Sequence, residues 1–191
     1  MTNLKGIGTK DLALISLFSS LWVVSQIYLG PVIGQITGVH GVINRLVGWL
    51  LMLILAELIG RFGRVSIMAA LAAFATRFVR RSSSLYALTV GLGYALAGFT
   101  FELLFFLPLA KRLKGKTRKA YLLGSSVLSG VVALVPYLVF NYWMLGLYGF
   151  LAYSPRYVYS LVKGTILSFL GTLLGISLLP KLETWKSKVR T

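Results

Sequence analysis

The sequence predicts an all-α, polytopic membrane protein: a single integral membrane domain over residues 1–191, folded as a six-transmembrane-helix bundle with both termini cytoplasmic. Three observations predict it. First, 57% of the residues are apolar and the mean hydropathy is +0.82, more apolar surface than a soluble domain of this length can hide. Second, the apolar residues gather into six runs near the roughly 20 residues that a helix needs to cross a bilayer, without the alternation of barrel strands. Third, Lys and Arg divide unevenly between alternate connections, as membrane topology requires.

Composition also excludes several functions. A net charge of +16 in a soluble chain points to nucleic acid, but here the basic residues lie between apolar runs instead of along one polar face, so topology accounts for them and no nucleic-acid partner is expected. With no cysteine, one histidine and four acids, neither a disulfide nor a protein-built metal centre is expected, and the sequence calls for no cofactor.

The N-terminal "MTNLKGIGTKD" is polar and leads into an apolar run with no small-residue cleavage pattern, so it reads as the lead into a retained first helix. The six spans fall at 11–30, 42–60, 63–79, 85–109, 120–145 and 157–179. The third is the shortest, which suggests a tilted, re-entrant or cushioned segment. Between the first two, "YLGPVIGQITGVHGVINR" (28–45) spaces glycines at 30, 34, 38 and 41. It reads either as an ordinary connector or as a compact, movable cover over a binding site.

With the N-terminus inside, fourteen basic residues face inward, six of them in "KRLKGKTRK" (111–119), and six face outward. That loop reads as a topology determinant, with anionic lipid contact as its alternative. Small-residue pairs recur at Ser16/Ser20, Ala69/Ala73, Ser125/Ser129 and Gly171/Gly175, the pattern that lets helices approach in a bilayer. Ser16 and Ser20, in "LALISLFSSLWVV" on the first helix, suit either internal packing or a helix of another protein.

Polar groups at membrane depth are costly and tend to mark function. Glu102, in "GFTFELLFF", is the one acid well inside a span. It reads either as a structural partner of Arg77 or Lys163, or as a substrate acceptor for a cationic or amino-bearing ring. Lys163 and Arg45 either snorkel to headgroups or face a site. Asn141 sits beside Tyr137, Tyr142 and Trp143, where an aromatic belt explains the rings but not the amide. Topology gathers His40, Asn44, Arg45, Asn141, Trp143, Tyr153, Arg156, Tyr157 and Lys163 into one outer half. An aromatic, partly polar pocket opening outward is expected there, with Glu102 as its inner floor.

Taken with "AELIGRFGRVSIMAALAAF" (56–74) and "GFTFELLFF" (98–106), this architecture resembles the substrate-binding S component of energy-coupling factor transporters, the two segments being similar to its Arg-x-Gly turn and to the Gly-x-x-x-Glu segment of the thiamine or hydroxymethylpyrimidine type. The resemblance implies a vitamin-capturing subunit in the cell membrane that works with a transmembrane scaffold subunit and cytoplasmic ATPases. Ser16 and Ser20 take the place of the family's Ala-x-x-x-Ala scaffold contact, and Glu102 that of its ligand-facing acid. No G-x-x-x-x-G-K-[ST] loop occurs, which fits ATP hydrolysis by a partner. The alternatives are a structural or assembly membrane protein, and a membrane-embedded lipid-modifying enzyme. The second lacks a nucleophile with its base, or a carboxylate cluster, at one depth.

Overall fold

The computed structural model describes residues 7–39, 41–79 and 84–190, with side chains through Lys181. Among them the chain is helical, with no strand: α1 (Thr9–Val24), a π turn (Ser25–Leu29), α2 (Gly30–Thr37), α3 (Val42–Ile59), α4 (Arg64–Val79), α5 (Leu85–Phe106), the short α6 (Pro108–Arg112), α7 (Gly115–Val132), α8 (Val135–Ala152) and α9 (Ser154–Arg190). Five stretches are long and apolar enough to cross a membrane: Thr9–Thr37, Val42–Ile59, Leu85–Phe106, Gly115–Ala152 and Ser154–Lys181. The protein is therefore membrane-embedded.

The segment expected as a third span, α4, stands apart. Its 16 residues rise about 24 Å, less than the roughly 30 Å hydrocarbon layer. Protein neighbours cushion it, since α1 and α5 flank it and Val65, Met68, Ala69, Ala72, Ala73 and Thr76 are buried.

Neighbouring helices close a ring: α1 on α4, α4 on α5, α5 on α7, α7 on α9, α9 on α3 and α3 on α1. Contacts from α3 to α4 and α5 fill the centre, and Leu51 to Ala56 are buried without a break. A continuous apolar run is what a helix surrounded on all sides requires.

Small residues set the close approaches. A Cβ at Gly171 would stand 2.9 Å from Trp49 Cβ, and one at Gly175 would stand 2.9 Å from Leu53 Cδ2, so α9 presses directly on α3. Ala69 and Ala73 are buried facing α5, and Ser125 and Ser129 are buried on α7. Ser16 and Ser20 differ from these three pairs, because both are exposed on α1 among Leu12, Leu17 and Leu21.

Two expectations change. The glycine-rich connector is mostly helix: a π turn carries α1 into α2, with Pro31 in the first turn of α2. Among the described residues of this connector, 38, 39 and 41 lie outside helices, with Gly38 at φ 68° and Gly41 at φ 80°. The expected span 120–145 is interrupted at Ala133–Leu134, where Pro136 starts a new helix. Just beyond its expected end the chain kinks at Gly146, whose φ of 64° and ψ of −179° are non-helical, and Tyr142 and Phe150 meet across the kink at 5.8 Å.

One end of the bundle is locked by ion pairs. Asp11 accepts from Arg61 and Arg64, each at 3.2 Å, and Glu57 pairs with Arg118. Tyr121 Oη donates to the Leu104 carbonyl at 2.9 Å nearby.

Candidate functional site

The opposite end holds a cavity of about 480 Å³ where the start of α3, the end of α4, the start of α5, the α7–α8 junction and the first turns of α9 converge. Its polar walls carry Asn44 and Arg45 from α3, Arg77 from α4, Ser84 from the cap of α5, and Ser160 and Lys163 from α9. Tyr86, Tyr94 and Tyr137 supply ring surface.

Several of these side chains are held from behind. Trp22 Nε1 donates to the Asn44 carbonyl at 2.9 Å, and Asn44 Nδ2 donates to Tyr94 Oη at 3.3 Å. Trp22 meets Tyr94 edge-on, with centroids 5.7 Å apart. α1, α3 and α5 are thereby tied together beneath the cavity. Arg77 Nε donates to the Ala87 carbonyl at 2.8 Å, fixing the guanidinium between α4 and α5. The Arg45 guanidinium lies against Gly164, in the space where a Cβ would stand. Only glycine beside Lys163 admits it there. Lys163 Nζ sits 5.2 Å from the centre of the Tyr159 ring, within cation–π range.

An aromatic chain continues from the cavity wall. Tyr86 meets Tyr137 at 5.6 Å, Tyr137 meets Tyr157 at 5.8 Å, and Tyr157 stacks on Phe150 at 4.7 Å. Tyr157 is 8% exposed, and its hydroxyl has no hydrogen-bond partner among the described residues. The Asn44 Oδ1 acceptor is likewise without one.

Of the residues singled out in the sequence, Asn44, Arg45 and Lys163 come together in the cavity wall, and Tyr157 stands one ring behind it. Asn141 does not line it: its amide donates to the Tyr137 carbonyl one turn back at 2.7 Å, which satisfies the polar group within its own helix. Trp143 is 77% exposed on the outside of α8 and does not line it either. His40 lies outside the described residues.

Glu102 is a correction. It does not form the cavity floor, and neither Arg77 nor Lys163 is its hydrogen-bond partner. Its carboxylate accepts the Val65 N–H at 3.0 Å, the Ser66 N–H at 3.1 Å and the Ser66 hydroxyl, in full burial. It caps the first turn of α4, which has no capping side chain of its own because Gly63 precedes it. The carboxylate also complements the positive end of that helix.

Sequence reasoning missed Arg77, Ser84, Tyr86, Tyr94 and Ser160 as wall residues. The available signal was positional: Arg77 closes α4 and Tyr86 opens α5, so both fall at the bundle end that Arg45 and Lys163 occupy.

Fold and site define a class, a helical membrane-embedded protein with a solute-sized cavity at one end. Comparison with protein-family models, with curated proteins and with solved structures finds no match that would narrow it.

Proposed function

We propose that this protein is a solute-binding membrane subunit of the S-component kind, multi-pass in the cell membrane, which captures a small ring-containing compound at its outer end and passes it on through partner subunits. The cavity of about 480 Å³ with three tyrosines and several convergent polar groups carries the reading. Its volume lies within the range of small-molecule sites, roughly 300–1,000 Å³. The basic "KRLKGKTRK" segment belongs to the opposite end, and the positive-inside tendency supports an outward-facing cavity.

Two features support partner subunits. It has no phosphate-binding glycine loop for ATP, and Ser16 and Ser20 offer a small-residue face on α1 where a scaffold helix can approach closely. A thiamine- or hydroxymethylpyrimidine-like ligand was the expectation while Glu102 stood as the ligand-facing acid. With Glu102 capping α4, ring recognition rests on Tyr86, Tyr94 and Tyr137 instead.

Native mass spectrometry of the protein purified under mild conditions tests the reading. A retained small molecule, displaced when Tyr94 and Tyr137 are replaced by Ala, is the expected result. A protein that retains nothing, binds nothing in a metabolite screen and co-purifies with no ATPase is a structural or assembly protein instead.

A further inference from the structure

We infer that the ion-paired, basic end of the bundle holds an anionic phospholipid, its phosphate set among Lys111, Lys114 and Arg118 and its chains laid along the end of α5. The inference is independent of the solute-binding reading and concerns the other end of the molecule.

A second cavity, of about 330 Å³, forms where the end of α5, α6 and the start of α7 meet. Its polar lining carries Lys111 from α6, Lys114 from the cap of α7 and Arg118 from the first turn of α7. Phe105, Phe106, Leu113 and Leu122 supply apolar walls. The Lys111 ammonium lies 5.9 Å from the centre of the Phe106 ring, so charge and ring surface adjoin. Basic pockets between helices at a membrane surface suit the head groups of anionic lipids.

Depth favours a lipid over a free anion. α5 has 22 residues, a rise of about 33 Å, which matches the roughly 30 Å hydrocarbon layer and sets its end at headgroup level. Beside the cavity Leu103, Leu107 and Leu109 are exposed, a surface that hydrocarbon chains can cover and a water-borne anion cannot use.

Charge points the same way. Residues 103–121 contain six Lys and Arg and no acid. Glu57 pairs with Arg118, and Asp11 with Arg61 and Arg64; among the described residues Lys111 and Lys114 form no ion pair. The Arg118 side chain is 40% exposed, and a five-donor guanidinium can serve a phosphate beside its carboxylate partner. α7 begins at the cavity without a capping side chain or an acid in its first turn, so the positive end of its dipole adds to the field. An acidic protein partner would use the whole loop surface, whereas the apolar walls single out a lipid.

Native mass spectrometry and thermal unfolding of the full-length protein in detergent test this, with phosphatidylglycerol, phosphatidylcholine or glycerol 3-phosphate added. Phosphatidylglycerol should be retained at least about tenfold over phosphatidylcholine and should raise the Tm. Lys111→Gln with Lys114→Gln should weaken it at least about tenfold, and Lys111→Arg with Lys114→Arg should retain it. Lys116→Gln with Lys119→Gln removes equal charge outside the cavity and should cost less than about threefold. Equal losses in the two Gln pairs reduce the effect to the loop's overall charge and overturn the site. Glycerol 3-phosphate that displaces the lipid at equal concentration overturns the lipid in favour of a soluble anion. No preference for phosphatidylglycerol also overturns the inference, and a co-purifying protein lost only from the Lys111→Gln, Lys114→Gln pair would then assign the surface to an acidic partner.

Discussion

Replacing Glu102 separates its capping role from a ligand-binding role. Glu102→Ala removes the acceptor of two backbone N–H groups at 3.0 and 3.1 Å, the first buried and the second half-buried, and of the Ser66 hydroxyl. Hydrogen bonds to a charged group contribute about 1.5–3 kcal/mol each, so the two backbone bonds amount to about 3–6 kcal/mol. The hydroxyl can turn to another acceptor, and water at the mouth of the Gly60–Gly63 turn can reach part of the exposed helix end. A net loss of about 3–4 kcal/mol is the working expectation, more than the roughly 0.5–2 kcal/mol of an ordinary N-cap deletion. Glu102→Gln keeps one acceptor oxygen but turns an amide N–H₂ toward a backbone donor, and about 1–3 kcal/mol should be lost. Thermal unfolding in detergent, followed by tryptophan fluorescence, should rank wild type above Gln above Ala. Affinity for any cavity ligand, measured below the Tm of the weakest variant, should change less than about twofold. An unchanged Tm with lost affinity would refute the capping argument and return Glu102 to the binding site.

Five further substitutions test packing and charge. At Gly93 a Cβ would overlap the Ala133 carbonyl, a backbone atom that cannot swing aside, whereas at Gly124 it meets nothing within 4 Å. Gly93→Ala should therefore cost about 1–3 kcal/mol and Gly124→Ala should gain up to about 1 kcal/mol, a difference in sign that thermal unfolding reads directly. Gly164→Ala intrudes only on the flexible Arg45 guanidinium, so the Tm should hold while affinity for any solute retained in the cavity falls several-fold. At the ion-paired end, Arg64 is 11% and Arg61 51% exposed in the side chain. Loss of the exposed pair should cost less than about 1 kcal/mol, so Arg61→Gln should leave the Tm nearly unchanged while Arg64→Gln lowers it clearly.

Most of the fold was legible because hydropathy and small-residue spacing act over whole helices. Runs of about 20 apolar residues marked the five long stretches, and the short 63–79 segment was recognised as odd for the reason the structure shows, its length. Gly171/Gly175 was legible as a contact because a glycine pair one turn apart leaves a groove that a neighbouring backbone can fill. The connector 28–45 was not. Glycine and proline signal turns by intrinsic preference, but in this setting the helix runs on through a π turn at Ser25–Leu29 and past Pro31 to Thr37.

The site was half legible, and the missing half has one physical cause. A buried acid is stabilised by whatever donors face it, and donors on the backbone leave no mark in a hydropathy profile. Glu102 therefore looked like a ligand group when its true partners were two N–H groups of α4. The sequence did hold the clue, read from the other helix: "GRFGRVS" opens α4 with glycine where Ser, Thr, Asp or Asn would normally cap it. An uncapped buried helix start needs an acceptor from elsewhere, and Glu102 is the acid on the neighbouring helix at the matching depth. Assigning it there takes the one acid out of the cavity wall, where Asn44, Arg45 and Lys163 stand with Arg77, two serines and three tyrosines.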